Sequence, residues 1–169
     1  MILLYFLLLY IGVDGQNLRG NTFLQPFYGS WYVSYSNVDF TSNPTKCMQY
    51  YMAQDADLQF VYTFKKVQNH IKNPEYQSGT IHIDNMDNLH QWRLTPDKKD
   101  TDEFIQHVLH IDKSKRYMII SNNKKNKIYI LTRSKIQNED EKIVNEIYDI
   151  LHETVDMSIS LYSVNNSFC

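Results

Sequence analysis

Residues 104–133 read FIQHVLHIDKSKRYMIISNNKKNKIYILTR, three apolar runs separated by two short polar segments. The runs are rich in the β-branched and aromatic residues that favour strands, and the segments between them carry the Asn and Asp typical of turns. Connections this short join antiparallel neighbours, because a parallel pair needs a long crossover. The stretch therefore predicts three consecutive strands of a meander.

Five similar runs precede this stretch, so the chain is predicted to form eight strands. No helical pattern lies between them. Eight strands in meander order favour an all-β, antiparallel up-and-down barrel, since closure removes the exposed edges; a two-sheet sandwich is the alternative. The predicted strands are Ser30–Val38, Cys47–Gln54, Leu58–Val67, Tyr76–Ile83, Asn88–Leu94, Phe104–Ile111, Arg116–Ser121 and Lys127–Arg133.

The segment after the eighth run predicts a helix. Asn138 followed by Glu141 is a capping-box pattern, and apolar residues then recur at helical spacing from Ile143 to Leu151. Residues 139–153 are therefore predicted to form one C-terminal α-helix that packs its apolar face on the outside of the barrel. A short ninth strand, Met157–Ser163, is predicted after it.

The first residues have the pattern of an export signal. Residues 2–11 (ILLYFLLLYI) form an apolar run that is too short to span a bilayer but has the length of a signal-peptide core. Small residues at Val13 and Gly15 predict cleavage after Gly15. Residues 1–15 are thus predicted to be a signal peptide and residues 16–169 one secreted, extracellular domain; the alternative is a buried N-terminal strand or helix.

Two cysteines, Cys47 and Cys169, are present. In an exported chain an even number of cysteines predicts a disulfide, here Cys47–Cys169, and two free thiols are the alternative. A disulfide would leave no thiol for catalysis. Asn165-Asn166-Ser167 is a glycosylation sequon, which makes Asn165 a candidate for modification.

The charge balance excludes some classes of partner. After removal of the leader, which holds one acidic residue (Asp14), 17 basic and 18 acidic side chains remain. This balance provides neither the basic surface of a nucleic-acid-binding protein nor a polybasic stripe for anionic membranes. We expect no nucleic-acid partner, no membrane span and a monomer.

The order of elements resembles that of the lipocalins, closest in outline to the apolipoprotein D, insect bilin-binding and Lazarillo group. Gly29-Ser30-Trp31 matches the Gly-x-Trp motif of the first strand, and Arg133 matches the arginine of the third motif. The resemblance implies that Arg133 stacks across Trp31 and closes the floor of the barrel, as suits a flat cation on an aromatic face.

Two further features bear on the resemblance. The Thr-Asp-Tyr pattern of the second motif appears here as Ile111-Asp112-Lys113, so only Asp112 is retained. The predicted bridge from the second strand to the tail is similar to one in this family. The structural-motif residues are thus Gly29, Trp31, Asp112 and Arg133.

The resemblance implies a secreted carrier or scavenger of a small hydrophobic ligand: a lipid, fatty acid, retinoid or tetrapyrrole. An aromatic interior suits such a ligand. The alternative is a filled pocket, with the loops at 39–46 and 122–127 binding or inhibiting another secreted or surface protein. The candidate ligand-binding residues are Tyr35, Tyr50, Met52, Phe60, Tyr62, Trp92, Phe104, Val108, Tyr117 and Ile119.

Catalytic chemistry is not indicated. The sequence has no hydrolase, zinc-protease or phosphate-loop motif, so we expect no enzyme activity, no metal and no cofactor. Haem held by an inward His82 or His107, or a bound bilin, is a minor alternative. Binding of a biogenic amine would need an inward carboxylate. The predicted strands two, three, six, seven and eight contain no Asp or Glu, which argues against it.

Overall fold

The computed structural model describes residues 24–40, 44–55, 59–68, 73–83, 92–97, 105–134, 141–155 and 159–169. The strands are β1 (Gly29–Ser36), β2 (Thr45–Gln54), β3 (Phe60–Gln68), β4 (Glu75–Ile83), β5 (Trp92–Pro96), β6 (Gln106–Ile111), β7 (Tyr117–Asn122), β8 (Ile128–Thr132) and β9 (Tyr162–Ser163). The predicted features outside the described residues are the signal peptide (1–15), Leu58, positions 88–91, Phe104, positions 138–140 and positions 157–158.

The first eight strands close into a ring. Each strand pairs antiparallel with the next, and β1 pairs with both β2 and β8. The predicted up-and-down barrel is therefore confirmed. The ninth strand is shorter than predicted and lies outside the ring, where it pairs with the end of β1 through Tyr35 and Ser36.

One helix, α1 (Glu141–Val155), covers part of the barrel wall. Its inward residues Ile147 and Leu151 are buried against Ile119 of β7 and Ile130 of β8 in one apolar cluster. The predicted amphipathic helix on the outside of the barrel is thus confirmed. No helix in the described part of the chain is long and apolar enough to cross a membrane.

The barrel is closed at the end where β1 begins. A single 3-10 turn (Gln25–Phe27) precedes β1, and its Phe27 is fully buried. The indole Nε1 of Trp31 donates a 2.9 Å hydrogen bond to the carbonyl of Phe27. The guanidinium of Arg133 lies 3.8 Å from the centre of the Trp31 ring. The turn, the indole and the guanidinium together form the floor of the barrel.

Asp112 organises the tight turn between β6 and β7. Its carboxylate accepts hydrogen bonds from the backbone N–H groups of Ser114 and Arg116, and a bidentate pair from the Arg116 side chain at 2.9 Å each. These donors, led by the Arg116 side chain, lower the pKa of Asp112 to about 2. Arg116 also contacts Glu146 of α1, at 3.4 Å, and thus connects the turn to the helix.

The tail is fixed to the first two strands. The predicted disulfide between Cys47 and Cys169 is formed, and it links residues 122 positions apart. The buried side chain of Asn166 accepts a 3.0 Å hydrogen bond from the backbone N–H of Met48 and donates a 2.8 Å bond to the carbonyl of Val33. The tail therefore lies across β1 and β2 through polar contacts as well as the covalent bond.

Candidate ligand-binding site

A cavity of about 760 Å³ lies at the end of the barrel opposite the floor. That end is where β3 finishes and where β4 and β8 begin, so residues at those strand ends surround the opening. The cavity is lined by Phe40, Met48, Tyr50, Phe64, Lys66, Glu75, Tyr76, Gln77, Ser78, Asp97, Gln106, Lys127 and Tyr129.

Aromatic side chains form much of its inner wall. The Tyr50 and Phe64 rings, from adjacent strands β2 and β3, have centroids 4.7 Å apart. Tyr129 contributes from β8, and Phe40 from the segment after β1. Alternation in β2 and β3 directs every second residue inward, which is why these strands supply aromatic residues to one surface. The wall suits an apolar or aromatic ligand.

A polar pair forms the bottom of the cavity. The hydroxyl of Tyr50 donates a 2.8 Å hydrogen bond to Oε1 of Gln106. Tyr50 is only 2% exposed, and burial raises its pKa well above the ordinary value, so the hydroxyl keeps its proton.

Below this pair apolar side chains of the described strands pack against one another. Phe60 and Trp92 meet edge to face with centroids 5.7 Å apart, and Trp92 meets Phe27 of the floor at 4.6 Å. Of the predicted ligand-binding residues, Tyr50 lines the cavity. Five others pack in this lower core and do not line it: Met52, Phe60, Tyr62, Trp92 and Val108. Phe104 lies outside the described residues.

Three predicted pocket residues lie on the opposite face of the wall, and their assignment is corrected. Tyr117 and Ile119 pack under α1, while the alternate residues Met118 and Ile120 face the interior. Both faces of β7 are buried, so its apolar pattern does not distinguish them. Tyr35 also faces the helix, because the register of β1 shifts after Val33. Such a shift moves the following side chains to the other face.

Charged side chains line the cavity around its opening. Lys66 and Glu75 are direct cross-strand partners on β3 and β4, while Asp97 follows β5 and Lys127 precedes β8. Burial and then the negative charge of Asp97 raise the pKa of Tyr62. Two carboxylates therefore do line the cavity, although the predicted strands contain none, because Glu75 and Asp97 lie at strand ends that the sequence assigns to turns.

Several lining residues were missed from the sequence. Phe64 and Met48 share their strand faces with Phe60 and Tyr50, so alternation was a signal that could have found them. Tyr129 lies in a strand that is apolar on both faces, where no such signal exists. Gln106 is a polar residue pointing inward, which hydrophobic patterning does not detect.

The histidines proposed for haem do not lie at the cavity. His82 is exposed on β4, and the described lining residues do not include His107. Within the described ranges no three His, Cys, Asp or Glu side chains are grouped closely enough to hold a metal ion.

Neither a family model nor a curated protein matches the sequence. Solved structures match it instead. The cockroach allergen Per a 4 is 14% identical and superimposes with a TM-score of 0.63, covering 86% of this chain and 89% of its own. Insecticyanin from the tobacco hornworm Manduca sexta is 20% identical, with a TM-score of 0.58, and covers 86% of this chain and 80% of its own.

A third match is the amine binding protein of Rhodnius prolixus in its tryptamine complex. It is 17% identical, has a TM-score of 0.53, and covers 80% of this chain and 76% of its own. The chain has the lipocalin fold. Its lipocalin barrel places a packed floor at one end and an open cavity at the other. The subgroup proposed from the sequence stays a prediction, because at these identities the likeness concerns the fold.

Proposed function

We propose that this protein is a secreted carrier or scavenger of a small hydrophobic ligand and that it acts by binding rather than catalysis. The observation that carries the proposal is the 760 Å³ cavity with its aromatic wall. Ligand pockets typically measure about 300–1,000 Å³ and combine apolar walls with a few polar groups. The disulfide and the lipocalin fold are consistent with an extracellular protein.

Burial of the ligand supplies the driving force. Removing about 200 Å² of apolar ligand surface from water contributes roughly 5 kcal/mol at 25 cal/mol per Å², before the cost of association. The wall residues Tyr50, Phe64 and Tyr129 supply aromatic surface to such a ligand. A flat or elongated apolar molecule would therefore gain most from this cavity.

The test is direct binding to protein secreted from eukaryotic cells. We would record its absorbance spectrum and native mass, and then titrate it with a fatty acid, retinol and a bilin while following Trp fluorescence. Saturable one-to-one binding at micromolar affinity or tighter is expected for at least one of them. No bound mass and no response to the panel would contradict the carrier proposal and favour loop-mediated binding to another protein.

A second candidate is an amphipathic cation, favoured by Glu75 and Asp97 beside the aromatic wall. A carboxylate close to ring faces is suited to an aromatic ammonium compound. Calorimetric titration with tryptamine tests it. Asp97→Asn should weaken binding about threefold, as expected for an exposed charge pair, while Asp149→Asn on α1 should leave it unchanged. Equal affinities for the two variants would contradict this candidate.

A further inference from the structure

We propose that Tyr50 and Gln106 form a recognition site at the bottom of the cavity for a ligand oxygen that accepts hydrogen bonds, such as a ketone or carboxylate oxygen. The inference rests on the proposed function and specifies the ligand further. It implies a ligand with an apolar body and an acceptor oxygen at the end that enters first.

The two residues come from opposite walls. In the ring of eight strands, three strands separate β2 from β6 in either direction. The 2.8 Å hydrogen bond between Tyr50 and Gln106 therefore crosses the lumen. Both side chains line the cavity, whereas Met52 and Val108 further down the same strands do not. The pair is thus the surface on which the inner end of a ligand would rest.

The hydrogen bond also fixes the orientation of the glutamine. Because the Tyr50 hydroxyl donates to Oε1, the amide nitrogen of Gln106 is directed away from that hydroxyl. Within the described residues no protein acceptor contacts this nitrogen, and its side chain lines the cavity. The pair therefore offers N–H donors to a bound molecule and no free carboxylate or ammonium group.

Burying those donors without an acceptor is unfavourable. An apolar ligand that covers the Gln106 amide leaves its N–H groups unsatisfied, whereas a ligand oxygen restores the hydrogen bond. Burial raises the pKa of Tyr50, so at ordinary pH its hydroxyl keeps the proton that it donates to Oε1 of Gln106. The Gln106 amide therefore favours a ligand that carries an acceptor oxygen over one that lacks it. The aromatic wall adds affinity for both kinds of ligand and does not distinguish them.

The experiment uses two ligands of similar shape. 2-Acetylnaphthalene and 2-isopropylnaphthalene differ mainly in the carbonyl oxygen, and the affinity ratio between them cancels general effects on the pocket. The preference for 2-acetylnaphthalene over 2-isopropylnaphthalene should fall about fivefold in Gln106→Leu relative to wild type. A similar fall is expected in Gln106→Glu, which keeps the shape of the side chain but replaces the N–H donor with an acceptor. Tyr50→Phe, which releases the glutamine, should lower the preference by a smaller factor.

Gln77→Leu is the matched control, since Gln77 lines the same cavity from β4. Its ratio should stay within about twofold of wild type.

An unchanged ratio in both Gln106 variants would overturn the inference and leave the carrier proposal intact. Failure of wild type to bind either naphthalene, while it binds a member of the first panel, would also overturn it. Failure to bind any compound would contradict the carrier proposal itself.

Discussion

The guanidinium of Arg133 lies over the Trp31 ring, 3.8 Å from its centre, and donates 3.0 Å hydrogen bonds to the backbone carbonyls of Tyr28 and Ser30. One side chain therefore joins the end of β8 to the start of β1, where the ring of strands closes. Gly29 lies between the two carbonyls with a φ of 94°, a conformation that a side chain would strain. The closure depends on this local geometry as well as on strand pairing.

Arg133→Ala should lower the free energy of unfolding by about 3 kcal/mol, because it removes charged hydrogen bonds and a cation–π contact together. Arg133→Lys should recover less than half of this loss, since an ammonium group cannot replace the planar fork. Urea unfolding followed by Trp fluorescence measures both. Lys113→Ala, at an exposed position, is the control and should change stability by less than about 0.5 kcal/mol. Equal stability of Arg133→Ala and wild type would contradict the proposed role.

Asp112 should make the fold sensitive to acid. Its pKa is lowered from 3.8 to about 2 in the folded protein, so its contribution to stability is complete above about pH 4 and is lost as the pH falls towards 2. Since nearly half of the Arg116 side chain is exposed to solvent, we expect a contribution of about 1–2 kcal/mol. Urea unfolding at pH 7 and pH 2 should show a smaller acid-induced loss in Asp112→Asn than in wild type. An identical loss in the two proteins would rule out this contribution, and Asp149→Asn is the control.

Loss of the Cys47–Cys169 bridge should reduce stability strongly. Freeing a loop closed over 122 positions costs about 4–5 kcal/mol in the chain-entropy description. The double variant Cys47→Ser/Cys169→Ser should therefore unfold at a much lower urea concentration than wild type, and a reducing agent should shift wild type towards the variant. A shift of less than about 1 kcal/mol would mean that the noncovalent contacts of the tail, those of Asn166 and the pairing of β9 with β1 among them, hold it in place.

Substitutions on the outer and inner faces of the barrel wall should affect different properties, stability in the first case and ligand affinity in the second. Ile119→Val, under α1, should reduce stability by about 1 kcal/mol and leave ligand affinity unchanged. Phe64→Leu, in the cavity wall, should weaken binding of whichever ligand the panel identifies. Parallel urea unfolding and fluorescence titration measure both properties. A loss of affinity in Ile119→Val equal to that in Phe64→Leu would contradict the assignment of faces.

Asn165 should carry a glycan when the protein is secreted from eukaryotic cells. The residue is exposed, and its side-chain oxygen accepts a 2.9 Å hydrogen bond from the backbone N–H of Ser167. Treatment with a glycosidase specific for Asn-linked glycans should reduce the mass of wild type and leave Asn165→Gln unchanged. A glycosidase-insensitive wild-type mass would contradict the prediction.

The fold could be predicted because its signals are local. Polar segments such as Asp112–Lys115 separate the runs, their short length requires antiparallel neighbours, and the spacing of Ile143, Ile147 and Leu151 marks the helix. Each of these features is contained within a few consecutive residues. The number and order of the strands favour ring closure over a two-sheet sandwich, and the pairing of β1 with both β2 and β8 establishes it.

The site was harder to predict because it depends on contacts between distant strands. Tyr117 and Met118 are both apolar and both buried, so nothing local decides which of them faces the lumen. The register shift after Val33 has no sequence marker either, and it places Tyr35 under the helix. The depth of the cavity depends on Tyr50 and Gln106, 56 positions apart, which only the closed barrel brings together.

The Tyr50–Gln106 hydrogen bond lies between a packed half of the interior and a hollow half that holds the cavity, and substitutions in the two halves should have different effects. Substitutions in the packed half remove contacts that stabilise the barrel, whereas those at Lys66, Glu75 or Lys127 should alter mainly the chemistry offered to a ligand. Such a scaffold can acquire a new ligand through successive changes in the hollow half while remaining folded at each step. A library randomised at those positions should therefore yield mostly folded proteins with altered binding.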